Sequence, residues 1–312
     1  MRAYFLESNE RETRLELRDA AAPRPGPGQL LIRVRATGLN RGEFLRHGLT
    51  KPGAAKIGGT EGAGEVDGKR VMGRLPGSFA EYALMDAADA IPVPANLSWE
   101  EAAAIPITFL VVYDMLVQQG NLQPGEWLLV TGVSAGVGVA ALLAAKALGA
   151  KVIGTSGSQE KLEKLRKLGL DVALQTRKPD FSQMVLTATN NKGANLVVNN
   201  VGGSMFAECV KSLGYEGRLA TVGYVDGVMK SEIDIEALHS KRLRLFGVSN
   251  KMRNGAQRAV TVEGFKRDWL PLFASGKLKP LIDRVYDFKD LPEAASRMQA
   301  DAHVGKIVVT GP

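Results

Sequence analysis

Cysteine occurs once in 312 residues, at Cys209, which excludes an intrachain disulfide and a cysteine-built zinc centre. Histidine is equally scarce: His47, His239 and His303 are too far apart to form a ligand set, so no metal is expected. No apolar run is long enough to span a bilayer, since the longest, Ile105 to Val117, contains Asp114 and is short. The first residues, Met1-Arg-Ala-Tyr-Phe-Leu-Glu7, pass directly into a strand-like pattern with no apolar signal region, so the cytoplasm is the expected compartment. A continuous basic tract is also missing. Lysine and arginine outnumber aspartate and glutamate by 40 to 33, a net charge of +7, but the excess is scattered. Nucleic acid is therefore not a demanded partner, and attraction of small anionic ligands is the simpler consequence.

What is present is ordinary globular material, 45% hydrophobic and 23% charged, of a length that suits two domains. The chain is organised around Trp127 to Gly157. An apolar run (Trp127 to Val130) is followed by a turn holding Gly132, Ser134, Gly136 and Gly138, then an Ala/Leu-rich helical pattern, then a second apolar run from Lys151. That is one βαβ unit of about thirty residues. Gly136, Gly138 and Ala141 satisfy G-x-G-x-x-G/A where strand passes to helix, the context in which the pattern carries meaning. Gly136 is expected to permit the turn, Gly138 to let backbone approach a diphosphate, and Ala141 to let helix and strand pack. The free amides of the helix start, from Ser134, Ala135, Gly136, Val137 and Gly138, then face the anion.

The end of the second strand selects the cofactor. A chain built for NADH places Asp or Glu about twenty residues past the first glycine, where it accepts bonds from the ribose 2′-hydroxyl. This chain has Thr155, Ser156, Gly157 and Ser158 there, with Lys161 one turn on. Hydroxyls can donate to a 2′-phosphate and the lysine can neutralise it, so NADPH is predicted.

Residues 1 to 104 alternate short β-rich pieces with Pro/Gly turns, the texture of a compact β domain. Ser98 and Glu101 have capping-box spacing at the start of helical patterning. Apolar strands are expected at Leu128–Thr131, Lys151–Thr155, Val172–Leu174, Leu196–Asn199, Arg218–Val222 and Leu243–Val248, separated by helix-length connections, which reads as a doubly wound parallel sheet. Ligand residues are then expected in the loops beyond the carboxyl ends of those strands: Asn199 to Gly203, with Asn200 and Val201, Gly223 to Gly227, with Gly223 and Tyr224, and Gly247 to Asn250, with Gly247 and Val248. A helix from Val262 to Ala274, another from Leu291 to Gln299 and a last strand, Lys306–Thr310, return to the first texture. The fold class is therefore α/β: a β-rich domain of residues 1–104 and 262–312 with a Rossmann domain, 105–261, inserted into it. An active site is expected in the cleft such an insertion makes.

Six stretches together carry a family likeness: Gly38-Leu-Asn-Arg-Gly-Glu43, Gly58-Gly-Thr-Glu-Gly-Ala-Gly-Glu65, Gly77-Ser-Phe-Ala-Glu-Tyr82, Val130-Thr-Gly-Val-Ser-Ala-Gly-Val-Gly138, Thr155-Ser-Gly-Ser-Gln-Glu-Lys161 and Gly305-Lys-Ile-Val-Val309. Over essentially its whole length the chain resembles the medium-chain dehydrogenase/reductase superfamily, in its zinc-free quinone oxidoreductase (ζ-crystallin-like) branch. The resemblance implies a GroES-like domain plus a Rossmann domain, assembled as a homodimer through the nucleotide domains. Zinc relatives carry cysteine where this chain has Asn40 and histidine where it has Thr60, and neither replacement is a good zinc ligand. The resemblance further implies that Asn40 faces the nicotinamide, that Phe246 to Val248 lie along its amide, that Lys161 meets the 2′-phosphate, and that Thr176 replaces a tyrosine at the same phosphate. Thr108 is a candidate for the cofactor-side threonine that many relatives carry at the position of Val111.

Without a Lewis acid, an acceptor already activated by conjugation is the natural substrate. The expected activity is hydride transfer from NADPH to quinones or α,β-unsaturated carbonyl compounds, with positioning and desolvation as the protein's part. Two other readings stand beside it: an enoyl-thioester reductase acting on acryloyl- or crotonyl-CoA, and a low-turnover NADPH-binding sensor. Enoyl-thioester reductases of this superfamily carry a tyrosine proton donor where this chain reads Leu49-Thr50-Lys51. Protonation is left to solvent, Thr50 or another cleft group, and Arg41, Arg46 and His47 are nearby candidates for binding a carbonyl or an anion.

Overall fold

A computed structural model describes residues 1–8, 13–44 and 55–312. The chain forms two compact units, Met1–Leu110 with Asn254–Pro312, and Val111–Arg253. Thr50, Arg46 and His47 lie outside the described residues.

The first unit opens with β1 (Arg2–Ser8), β2 (Thr13–Asp19), β3 (Gln29–Gly38), β4 (Lys56–Ile57), β5 (Glu61–Val66), β6 (Lys69–Arg74), β7 (Tyr82–Asp86) and β8 (Ile91–Pro92). β1 pairs antiparallel with β2 and β4. β3 is the long central strand of the larger sheet, pairing antiparallel with β5 and β7. Its alternation places Ile32 and Val34 against Leu75, Ala83 and Met85 in a buried cluster. α1 (Trp99–Ala103) begins as the sequence predicts: Ser98 Oγ accepts from the Glu101 amide at 3.1 Å and the Glu101 carboxylate accepts from the Ser98 amide at 2.9 Å. α2 (Pro106–Tyr113) follows, with proline in its first turn, where the missing N–H costs nothing.

The second unit is a parallel sheet of six strands in the order β11-β10-β9-β12-β13-β14. Its elements are β9 (Trp127–Val130), α3 (Gly136–Ala147), β10 (Lys151–Ser156), α4 (Gln159–Arg166), β11 (Val172–Gln175), α5 (Ser182–Ala188), β12 (Ala194–Asn199), α6 (Gly203–Lys211), β13 (Leu213–Thr221), α7 (Ile235–Ser240) and β14 (Arg244–Gly247). Leu129, Ile153, Val197 and Leu219 from four of the strands share one buried cluster, the near-continuous apolar strand composition of a doubly covered sheet. Strand order reverses at β9, between β10 and β12, the topological switch point of such a sheet. Cys209 is buried here, and burial pushes its thiol well above the ordinary range, with Glu208 adding to the shift, so it is no nucleophile.

The chain returns through α8 (Gly255–Asp268), α9 (Leu270–Ala274), β15 (Ile282–Tyr286), α10 (Leu291–Gln299) and β16 (Lys306–Thr310), and β16 pairs antiparallel with β3. The expected helix over 262–274 is in fact two. α8 starts earlier because Asn254 caps it, Oδ1 accepting from the Gln257 amide at 2.9 Å, and the break at Trp269 precedes Pro271. The units also change over at 110/111 and 253/254, where the sequence suggests 104/105 and 261/262. Phe109 stacks edge-on against Phe273, ring centroids 5.0 Å apart, and Thr108 contacts Lys306 at 3.2 Å, which holds 105–110 in the first unit, while Arg258 pairs with Asp86 at 3.6 Å and Asp89 at 3.9 Å, which holds 254–261 there. No helix of the described residues is long and apolar enough to cross a membrane.

Candidate functional site

At the switch point of the second unit, the turn after β9 is tied to the neighbouring strand. The Gly132 amide donates to Thr155 Oγ1 at 3.2 Å and the Val133 amide to Thr155 O at 3.0 Å. Ala135 holds extended backbone (φ −72°, ψ 164°) before α3 and offers no side-chain cap, so the first-turn amides keep their donors. Ser134 to Val137 are half-buried, at the surface of an otherwise buried βα turn. Gly138 is glycine for an internal reason: a Cβ there would stand 2.6 Å from Gly132 O and 2.8 Å from Val133. Its expected part in a ligand's approach is therefore met first by the turn's own packing.

The shelf beyond β10 carries hydroxyls and cations. Ser156 Oγ lies 3.4 Å from Ser134 Oγ and accepts from the Ser158 amide at 3.3 Å. Ser158 caps α4, accepting from the Lys161 amide at 3.3 Å, which puts Lys161 in the first turn. Thr176 does not lead to the shelf by its hydroxyl: Oγ1 donates to Asp180 Oδ1 at 2.6 Å and accepts from the Lys178 amide at 3.0 Å, closing its own loop. Its neighbour Arg177 is the residue that reaches back. The guanidinium arm lies over Gly157, so close that a side chain there would collide with it.

The other strand ends complete this rim. The Asn200 amide donates to Thr131 Oγ1 at 3.0 Å, and Asn199 Oδ1 accepts from the Val201 and Gly202 amides at 3.1 Å each. Asp226 accepts from Ser204 and Val228; burial pushes its carboxyl up, but these hydrogen bonds outweigh burial and hold it below the usual range. Gly223 and Phe246 are half-buried, Tyr224 and Gly247 exposed and Val248 buried, with the Gln119 amide group donating to Gly247 O at 3.4 Å. The predicted residues of this unit thus share one end of the sheet.

The first unit holds a second polar assembly, built on β3, β5, α2 and β16. Lys306 is 4% exposed and Glu61 0% exposed. The Lys306 ammonium donates to Glu61 Oε1, to Asn40 Oδ1 at 2.7 Å and to Thr108 Oγ1 at 3.2 Å, using all three protons. Gly38 makes room for this arm, since a Cβ there would stand 2.8 Å from Lys306 Cε and 2.6 Å from Ala103 O. Glu61 Oε2 accepts from the Ile107 amide at 2.7 Å, at the start of α2. Asn40 spends both amide protons, on Glu61 Oε1 at 2.7 Å and Thr60 Oγ1 at 3.2 Å. Thr60 in turn donates to Glu43 Oε1 at 2.9 Å, and Glu43 Oε2 accepts from the Asn40 amide at 2.7 Å. Burial raises the Glu43 carboxyl to about 7, against the lowering effect of those two hydrogen bonds and Lys306, while Glu61 raises it further.

This arrangement revises three expectations. The Asn40 side chain has no amide proton left for a ligand, so any part it plays there is by shape and backbone. Thr108 is buried and serves Lys306. Arg41 pairs with Asp301 and the Met298 carbonyl. Sequence reasoning missed Glu43, Glu61, Lys306 and Arg177. Lys306 leaves one sequence signal, a charge opening the apolar run Ile307 to Val309, and Arg177 leaves another, the basic pair with Lys178 just past the third strand. A hollow of about 450 Å³ lined by Met1, Gln29, Ile57, Arg74, Tyr82 and Asp86 shares no residue with either assembly.

Comparison with known proteins places these features. Residues 136–262 match the family model of zinc-binding dehydrogenases. The human synaptic vesicle membrane protein VAT-1 homolog is 30% identical, covering 96% of this chain and 84% of that protein. A phenolphthiocerol/phthiocerol polyketide synthase protein of Mycobacterium tuberculosis is also 30% identical over 96% of this chain, which spans 14% of the synthase's length. The quinone oxidoreductase of Thermus thermophilus, solved alone and with NADPH, superposes with a TM-score of 0.84 at 29% identity, covering 99% of this chain and 100% of that one.

Proposed function

The chain belongs to the medium-chain dehydrogenase/reductase superfamily, in its zinc-free quinone oxidoreductase branch, and from that premise we propose that it is an NADPH-dependent, zinc-independent reductase of quinones or α,β-unsaturated carbonyl compounds. Bound NADPH would supply the hydride. Its diphosphate suits the uncapped first turn of α3, with Ser134, Ala135, Gly136, Val137 and Gly138. Its 2′-phosphate suits Ser156, Lys161 and Arg177, with Thr176 shaping the loop that carries the arginine. Asn200, Val201, Gly223, Tyr224, Phe246, Gly247 and Val248 line the remaining rim.

The observation that carries the nucleotide choice is the Arg177 arm over Gly157, in a shelf whose strand end bears a serine instead of a carboxylate. A carboxylate there would repel the phosphate; an arginine recruits it. Zinc does not fit the first unit. The position between Asn40 Oδ1, Glu61 Oε1 and Thr108 Oγ1 already holds a cation, the Lys306 ammonium, and carboxamide and hydroxyl oxygens are poor zinc ligands. Without a metal the acceptor must bring its own activation, which conjugated carbonyls do.

Calorimetric titration tests the cofactor: NADPH is expected to bind at least about tenfold tighter than NADH, and equal affinity overturns the choice. An acceptor panel of simple quinones and butenone then tests the activity. The 30% identity to a polyketide synthase favours one further reading, reduction of an enoyl thioester; turnover of crotonyl-CoA faster than any quinone would install it instead. β11 and β14 are both unpaired edges of the parallel sheet among the described residues, and a homodimer through the second unit would cover one of them.

A further inference from the structure

Selection for a 2′-phosphate needs more than a cation in the neighbourhood; the cation has to be held where the phosphate arrives. We propose that Gly157 does this by serving as the seat of Arg177, so that the glycine, acting through the arginine, sets the nucleotide preference. The inference rests on the reading of the chain as NADPH-dependent and deepens it, by naming the residue that positions the discriminating charge.

Gly157 is the first residue past β10, and nothing in the fold itself asks for glycine there. Its backbone lies outside the left-handed region, and the residue is exposed. Two other glycines of the same unit are different. A Cβ at Gly138 would strike Gly132 O at 2.6 Å, and one at Gly154 would stand 2.6 Å from Val133 Cγ1, both in buried surroundings. At Gly157 the three atoms nearest to a Cβ all belong to the Arg177 side chain, with Cγ at 2.5 Å and Cδ at 2.6 Å. The space a side chain would fill is taken by the arginine stem, not by the core.

The arm is fixed at its root and free at its tip. β10 and β11 pair as far as Ser156 and Gln175, and the Thr176 amide then donates to Ser156 O at 3.1 Å. Thr176 Oγ1 closes the loop on Asp180 and Lys178. Arg177 is thereby set beside Gly157, with its methylenes over bare backbone. Its guanidinium enters no hydrogen bond or ion pair among the described residues, and the residue is exposed. An arginine so placed has its fork available for two phosphate oxygens, and a stem already laid down loses less freedom when they bind. Ser156 and Lys161 belong to the same turn, linked through Ser158, whose amide donates to Ser156 Oγ and whose own Oγ accepts from the Lys161 amide.

A methyl group at 157 would displace the stem without disturbing the core, because an exposed arginine can swing into solvent. Gly157→Ala should therefore fold as wild type does and lose the arm's contribution alone. That separates a positioning role from a structural one.

Calorimetric titration with adenosine 2′,5′-bisphosphate and with 5′-AMP tests it, since the two probes report the adenosine end without the nicotinamide. Wild type is expected to prefer the bisphosphate by about tenfold or more. Gly157→Ala should weaken the bisphosphate about tenfold, with 5′-AMP affinity and the urea unfolding midpoint unchanged. Arg177→Ala should lose as much, and the double variant no more than either, because removing the seat and removing the arm delete one interaction. Gly157→Asp should lose about a hundredfold, since its carboxylate would both hold the guanidinium and repel the phosphate. A Gly157→Ala protein that keeps the wild-type preference, that weakens both probes equally, or whose loss adds to that of Arg177→Ala overturns the seat and leaves the NADPH reading intact. A wild-type protein that binds the two probes equally overturns both.

Discussion

In the first unit, an ammonium, two carboxylates, a carboxamide and two hydroxyls consume one another's hydrogen bonds around Lys306 and Glu61. At the strand ends of the second unit the pattern is reversed: helix amides without a cap, a serine pair and the exposed Arg177 arm stand with capacity left over. The difference follows from what each place has to do. Charge buried away from water has to be matched by groups of the same protein. A place that takes an anion from solution has to keep its donors uncommitted until the anion arrives. One assembly is closed; the other is open, as an anion site requires.

The sharpest way to break the comparison is at the closed end. Lys306→Met leaves Glu61 charged and buried with no cation, and should cost about 3–5 kcal/mol in urea unfolding. Adding Glu61→Gln should recover a good part of it, whereas a loss under about 1 kcal/mol for Lys306→Met alone would mean that the cluster is not closed. At the open end, Lys161→Ala and Arg177→Ala should each weaken NADPH about tenfold and together about a hundredfold, with NADH unchanged and no loss of stability. Equal losses for both nucleotides would move the two cations off the 2′-phosphate.

Glu43 lies between these extremes, and its effect depends on pH. Its folded carboxyl is raised to about 7 from an ordinary 4.5. The folded state therefore binds more protons than the unfolded chain between those values, and stability falls as pH rises through the interval. Glu43→Gln removes that penalty, so relative to wild type it should gain on the order of 2 kcal/mol more at about pH 8 than at about pH 4.5 in the same unfolding measurement. A pH-independent difference would place Glu43 outside the buried cluster. The smallest effect belongs to a cap whose side-chain hydrogen bond is local to α1: Ser98→Ala, which deletes that cap, should cost about 1 kcal/mol in thermal unfolding and change neither nucleotide affinity nor turnover.

Much of this was legible in the sequence where the signal is local. The Trp127 to Gly157 unit, the Ser98 capping box and the helix Leu291–Gln299 all rest on residues within a few positions of one another. The first two turns of the helix that starts at 255 escaped notice because that start depends on a cap, Asn254, ahead of a stretch whose polar and apolar residues do not segregate onto faces. Gly136 and Gly138 marked the right turn, yet the reason for glycine at 138, collision with Gly132 and Val133, is a matter of three-dimensional closeness. Thr176 came from the family resemblance and Arg177 went unnoticed; the arginine lies over Gly157 beside a loop closed by hydrogen bonds of Thr176 with Asp180 and Lys178.

By itself the sequence determined the two kinds of domain, the order of the parallel strands along the chain and the absence of a carboxylate at the end of the second, because periodicity, turn residues and charge are written locally. The tertiary structure alone decided that Lys306 would lie against Glu61, 245 residues away, with Asn40, Thr60 and Glu43 arranged around them. A lone lysine in an apolar strand carries no indication of its partner. Only when β16 closes against β3 and the space is sealed from water does the cost of an unmatched charge dictate which side chains meet.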